Sequence, residues 1–306
     1  VNISLSAAGL AVRSAGAFSP EWGGAVALPL FGHVGRPRPV AAGAAATMWQ
    51  AHRSTVRVAG LSRAGADVVV YGWGRGDRVI VLAHGWSGRA SQFATLVREL
   101  VAEGFRVVAF DAPAHGDTLG RGTYLIDWID ILAALQTRFG RPHAVVGHSF
   151  GGLAALVAAA DGLDVERVVT VASPADADLL LSQFQAMLGY GDRTAAALRR
   201  RFATRYFPEE ADPFARLSPL LRPVPAGIDM LAVHDEGDRV VPYGELVRIA
   251  AAHPTARALT LRGFGHNRIL DSDPFLDAVV EFVAAPPRKG SAVVNTLPND
   301  RVDAAA

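Results

Sequence analysis

The sequence predicts an α/β fold, with a mostly parallel central sheet, helices on both of its faces and a helical insertion late in the chain. Three observations lead there. From Val56 onward, short β-branched runs alternate with helical stretches, the pattern of βα units that feed a parallel sheet. Several of these runs are apolar throughout instead of alternating, as strands buried on both faces are. One of them also passes through Gly147-His148-Ser149-Phe150-Gly151 straight into a helix-forming run, a strand–turn–helix joint in which flanking glycines leave room where a Cβ would collide.

Residues 1–54 are apolar and alanine-rich, broken by Gly32-His33-Val34-Gly35-Arg36-Pro37-Arg38-Pro39, and read as a helical extension that packs on the body. Val56–Ala59 and Val68–Gly72 read as a hairpin around Gly60 and Gly65. Strands follow at Arg78–Ala83, Arg106–Phe110, Ala144–Val146, Arg167–Val171, Met230–Val233 and Ala258–Leu261. Helices separate them at Ser91–Ala102, Tyr124–Phe139, Gly152–Val157 and Tyr243–Ala252, and Pro274–Ala284 follows the last strand. Between Ser173 and Gly227 no strand is legible, but Leu179–Leu188 and Thr194–Tyr206 are helical. An insertion of that size after a sheet strand predicts a cap at about residues 174–228 within a 55–285 domain. Residues 286–306, rich in Pro, Gly and charge, read as a disordered tail.

Composition narrows the chemistry. Half of the 306 residues are hydrophobic and the formal net charge is +1, with no basic stripe interleaved with aromatics. Nucleic acid and acidic membrane surfaces are therefore poor partners. The basic residues are all arginine except Lys289, which disfavours Schiff-base or Ser-Lys chemistry. The absence of cysteine excludes thiol nucleophiles, Fe–S clusters and thiolate zinc sites. No His-Glu-x-x-His or dinucleotide fingerprint occurs, so neither a metal nor a cofactor is expected. Gly72-Trp73-Gly74-Arg75-Gly76 reads as a strand connection, and Arg199-Arg200-Arg201 as a solvated helix face. No apolar run reaches the ~20 residues of a spanning helix, and a cytoplasmic protein without an integral membrane segment is expected.

The candidate chemistry centres on Ser149. A serine hydroxyl becomes a useful nucleophile once a neighbouring base takes its proton. His266, in Gly263-Phe264-Gly265-His266, alone among the nine histidines falls between the last strand and the last helix. His-Asp-Glu-Gly-Asp at 234–238 offers three carboxylates, of which Asp235 stands at the strand end and Asp238 precedes Arg239-Val240-Val241-Pro242. For His33, His52, His143 and His253 an ordinary surface or core role is expected.

Ser149 in its elbow, Asp238 in Asp-x-x-Val-Pro and His266, in that order, resemble the serine-dependent α/β-hydrolase family, from about Val56 to Ala284. The resemblance implies an α/β-hydrolase fold and a Ser149–His266–Asp238 triad. Asp235 is then left to cap the loop or support the acid. It also implies an oxyanion hole made by the backbone N–H groups of Trp86, in His84-Gly85-Trp86-Ser87-Gly88, and of Phe150. His84 is then structural, and the Asp111-Ala112-Pro113-Ala114-His115-Gly116 loop architectural. The implied activity is cofactor-free hydrolysis of a small carboxylic ester through an acyl-enzyme. A thioesterase, amidase or C–C bond hydrolase with the same triad, and a non-catalytic ligand-binding member, are the alternatives. Leu179, Leu180, Leu181, Phe184, Met187 and Leu188 recur at spacings of three and four residues. That stripe predicts a cap whose Phe184 and Met187, with Trp86, line a pocket for an apolar acyl or alcohol group.

Overall fold

The computed structural model describes residues 5–60 and 65–286. The tail expected from residue 286 lies outside the described residues from 287 onward. The chain opens with α1 (Leu5–Phe18), α2 (Pro20–Phe31) and the short α3 (Ala45–Trp49). The antiparallel pair β1 (His52–Val58) and β2 (Ala66–Trp73) follows, registered Val56 against Val68. β1 begins at His52, inside the segment assigned to the extension, because its first residues are polar and exposed and carry no apolar signal.

The body then alternates: β3 (Val79–Ala83), α4 (Ala94–Ala102), β4 (Arg106–Asp111), α5 (Leu125–Phe139), β5 (Ala144–His148), α6 (Phe150–Ala160) and β6 (Arg167–Val171). Three helices intervene, α7 (Ala177–Leu188), α8 (Asp192–Tyr206) and α9 (Pro213–Arg216). The chain returns through β7 (Asp229–Asp235), α10 (Gly244–Ala252), β8 (Arg257–Leu261), α11 (Gly265–Arg268) and α12 (Asp273–Ala284). Among the described residues the sheet has eight strands in the order β1-β2-β4-β3-β5-β6-β7-β8, parallel from β4 onward. Each strand read from the sequence is present, and the α/β fold with a mostly parallel sheet stands.

The continuous apolar strands are explained by two cores. Val81, Val108 and Val145 face Trp128, Leu132 and Leu156 of α5 and α6. Ile80, Leu82 and Val146 face Leu96, Leu100, Phe275 and Val279 of α4 and α12. Successive strand residues point to opposite faces, so a sheet covered twice needs apolar side chains at every position.

The insertion finds its main helical partners in the N-terminal pair, with α8 on α2 and α7 on α1. Small residues permit the approach. A Cβ on Gly24 would lie 2.8 Å from Leu198 N, and one on Gly9 2.8 Å from Leu188 O. Arg13 donates to Leu188 O at 2.7 Å, and Arg200 pairs with Glu21 at 2.6 Å. α7 is capped by Asp176, which accepts from the N–H groups of Asp178 and Leu179, and it stops at Gly189 with φ 69°. Among the described residues no helix is long and apolar enough to cross a membrane.

Candidate active site

β5 ends at His148 and α6 starts at Phe150, which leaves Ser149 alone at the turn with φ 52° and ψ −119°. A side chain in that region of backbone space costs about 1–3 kcal/mol. The surroundings hold it there. Ser149 N–H donates to Val171 O on β6 at 2.9 Å, and Gly152 N–H returns to Ser149 O at 2.9 Å. A Cβ on Gly147 would sit 2.3 Å from Gly151 O, and one on Gly151 2.1 Å from Ala83 O. Both glycines are therefore dictated by backbone passing backbone.

His266 lies on the single turn α11, where a loop is expected from the sequence. It is carried there by Gly263 and Gly265, both at positive φ. Its Nε2 is 3.1 Å from Ser149 Oγ and its Nδ1 2.7 Å from Asp238 Oδ2. Asp238 Oδ1 accepts from the N–H groups of Val240 and Val241 at 2.7 and 3.0 Å, and His234 Nε2 stands 3.4 Å from Oδ2. Burial alone would raise this carboxyl. The donors from His234, His266 and the two amides outweigh it and hold the group well below the usual carboxylate range. Asp235 faces the loops instead: Oδ1 accepts from Gly237 N–H and Oδ2 from Phe264 N–H, each at 2.8 Å.

Two buried histidines pin the loop that carries Trp86. His84 Nδ1 donates to Gly85 O at 2.8 Å, leaving Nε2 to accept from Ala112 N–H at 3.0 Å. His115 Nδ1 donates to Pro113 O, and its Nε2 accepts from Ser87 N–H at 3.0 Å. Both roles need neutral rings. Burial supplies that, pushing His115 down to about 4 and His84 well below the usual histidine value. Trp128 Nε1 donates to His84 O, and the Trp86 ring packs edge-on to Phe150, centroids 5.2 Å apart. Asp111, fully buried, ties the second loop down by accepting from the N–H groups of Ala90 and Asp117. Phe150, as the first residue of α6, is among those whose N–H the helix ladder leaves unpaired.

A cavity of about 750 Å³ opens over Ser149 and His266. Trp86, Phe184 and Met187 all line it, although Met187 is 54 % exposed and sits at its rim. Sequence reading misses contributors of two kinds. Leu30 and Phe31 of α2 reach the same cavity from the far end of the chain. His148, beside the serine, binds the backbone of His266. Neither contact has a signature in spacing. His143 and His253 have structural partners in Glu166, Val283 O and Val224 N–H. Arg199 pairs with Asp178 on the surface.

With a strand–serine–helix elbow in an eight-stranded sheet of this order, residues 80–294 match the alpha/beta hydrolase family, and the chain belongs to it. Among its relatives is the pimeloyl-[acyl-carrier protein] methyl ester esterase of Xanthomonas campestris pv. campestris. It is 31% identical over 252 residues, covering 68% of this chain and 96% of that one. A serine hydrolase-like protein of Dictyostelium discoideum is 28% identical over 116 residues, 34% of this chain and 32% of that one. Two solved structures share the fold. Mouse alpha/beta hydrolase domain-containing protein 10 has a TM-score of 0.59 at 19% identity, over 76% of this chain and 97% of that one. The Pyrococcus furiosus esterase Pf2001 has a TM-score of 0.58 at 18% identity, over 82% and 98%.

Proposed function

We propose that this protein is a serine hydrolase that cleaves carboxylic esters bearing an apolar acyl or alcohol group. The observation that carries the reading is the chain of contacts from Ser149 Oγ to His266 Nε2, 3.1 Å, and from His266 Nδ1 to Asp238 Oδ2, 2.7 Å, at the floor of a cavity. An ester is also the substrate named for the Xanthomonas relative. Only the bond type is carried over to this chain.

As Ser149 Oγ attacks the ester carbonyl carbon, His266 Nε2 takes its proton. Asp238 keeps the other proton on Nδ1 and stabilises the imidazolium. The carbonyl oxygen becomes an oxyanion, held by the N–H groups of Trp86 and Phe150; donors of this kind typically contribute about 2.7–4 kcal/mol each to the transition state. Collapse breaks the bond to the alcohol oxygen, which receives the proton from His266, and leaves the acyl group on Ser149. Water then repeats the sequence, releasing the carboxylic acid and restoring the serine. In this reading α7–α9 cap the site, and Phe184 and Met187 offer apolar surface to the substrate chain.

Labelling with a fluorophosphonate, alongside turnover of p-nitrophenyl esters of graded acyl length, tests the proposal. Stoichiometric labelling that Ser149→Ala abolishes, with ester turnover lost in parallel, is the expected result. Labelling that survives the substitution overturns it.

A further inference from the structure

We infer that the N-terminal helical pair is a working part of the substrate site, and that Phe31 sets how long an apolar chain the cavity accepts. The inference rests on the serine-esterase reading and adds to it an element outside the family match, which begins at residue 80.

The apolar end of the cavity is a box with walls from three separate segments. Phe184 comes from α7 and Phe202 from α8, while Tyr124 immediately precedes α5. Phe31, the last residue of α2, closes the box. Its ring centroid lies 5.2 Å from Phe184, 6.0 Å from Phe202 and 6.2 Å from Tyr124.

The position of Phe31 is set from both sides. Before it, Gly24 brings the α2 backbone against α8, and Leu28 O accepts from Tyr124 Oη at 3.3 Å. After it, Gly32 O accepts from Thr123 N–H at 2.9 Å, and His33 bridges to Gly122. Gly32 has no room for a side chain, since a Cβ there would be 2.5 Å from the Tyr124 ring. A ring held this firmly acts as a fixed wall. The insertion alone leaves that side of the box open, so the pair α1–α2 and the pair α7–α8 complete one enclosure.

The test compares Phe31→Ala, Phe31→Leu and Phe31→Trp with the parent protein, using p-nitrophenyl esters from acetyl to myristoyl and alkyl acetates of matching lengths. Rates are normalised in each variant to the fraction of protein that labels with fluorophosphonate, so that only the shape of the chain-length profile is compared. In at least one series the optimum moves about two to four carbons longer in Phe31→Ala, less in Phe31→Leu, and shorter in Phe31→Trp. Beyond the parent's optimum, each added methylene then gains about three- to fourfold in kcat/KM in the alanine variant. Trp22→Ala, on the exposed side of α2, leaves the profile in place. Superimposable profiles for the parent and all three variants, or an equal shift from Trp22→Ala, overturn the inference.

Calorimetric binding of saturated fatty acids from octanoate to myristate, in a Ser149→Ala background, reads the same wall without turnover. A longer preferred chain after Phe31→Ala supports the inference even if no ester is hydrolysed, and an unchanged preference overturns it.

Discussion

His148 Nε2 lies 2.9 Å from the carbonyl oxygen of His266, and their rings are 4.8 Å apart. On the other side, His148 Nδ1 is 3.0 Å from Gln92 Nε2. Only the neutral Nε2–H tautomer satisfies both partners, donating to the carbonyl and accepting from the amide. Burial and the neighbouring His266 push this imidazole down to about 3, so it stays neutral across the working range. The residue before the serine thus holds the backbone of the proposed base, and serine and histidine are positioned as one unit. His148→Ala is expected to lower kcat roughly 10- to 100-fold with KM nearly unchanged, since misplacing a reacting group by about 1 Å costs that much. His148→Gln, which keeps a donor, should recover part of the loss. A kcat equal to the parent's in folded His148→Ala protein would exclude the positioning role.

Strain at Ser149 predicts opposite effects on stability and activity. Glycine adopts φ 52° without the cost a Cβ carries there. Ser149→Gly should therefore unfold at higher urea while losing all turnover. The gain is the strain relieved, about 1–3 kcal/mol, less the roughly 0.4–1 kcal/mol that glycine's freer unfolded chain costs. Ser149→Ala loses turnover without the gain. Equal unfolding midpoints for the two variants would show that the turn stores no more strain than the roughly 0.4–1 kcal/mol that glycine costs through the unfolded chain.

The two aspartates should separate cleanly. Asp238→Asn removes the acceptor that orients His266 Nδ1–H and should reduce kcat by roughly 10⁴-fold. Asp235→Asn replaces a carboxylate whose two oxygens each accept a backbone N–H. It should cost about 1–3 kcal/mol of stability and reduce turnover far less. Urea unfolding and steady-state kinetics on both variants check the assignment, and the reverse ordering of kcat would transfer the acid to Asp235.

Gly151→Ala places a Cβ 2.1 Å from Ala83 O, backbone against backbone, and is expected to yield no soluble folded protein. Gly43→Ala meets nothing within 4 Å and should stabilise by about 0.4–1 kcal/mol through the unfolded chain. Expression yield and thermal midpoints distinguish them.

Stability should fall in mildly acid solution. His84, His115 and His148 are buried and neutral when folded, with values below the ordinary 6.5, whereas the unfolded chain protonates them near 6.5. The unfolded state therefore binds more protons below pH 6.5. The stabilisation is complete above that value and drains away as pH falls toward about 4. Each histidine contributes a slope of about 1.4 kcal/mol per pH unit once it is fully protonated in the unfolded chain. Asp111, raised by burial, acts in the opposite sense at the acid end of the window. Urea titrations at pH 7, 6 and 5 measure the slope, and equal stabilities at all three would show that these rings are not held neutral.

The sheet was legible because burial on both faces demands unbroken apolar strands, and the elbow because only glycine fits where Gly147 and Gly151 cross their neighbours. Asp238 and His266 are singled out by resemblance to the α/β-hydrolase family, and only that resemblance favours Asp238 over Asp235, which stands at the strand end. What escaped were contacts between segments far apart in the chain. Phe31 carries no mark in its own neighbourhood that it will face Phe184, and His148 none that it will hold the carbonyl of His266. One-turn elements such as α11 are set by the loops around them and not by an amphipathic period.

The bond from Arg13 to Leu188 spans 175 residues, and that from Arg200 to Glu21 spans 179. During synthesis α1 and α2 leave the ribosome long before α7 and α8 exist. At 5–20 residues per second the wait is roughly 10–35 s. Throughout it, the faces of α1 and α2 that will meet α7 and α8 lack those partners, and the ring of Phe31 lacks Phe184 and Phe202. The enclosure over the serine therefore cannot close until α7 and α8 have been made, however early α1 and α2 fold.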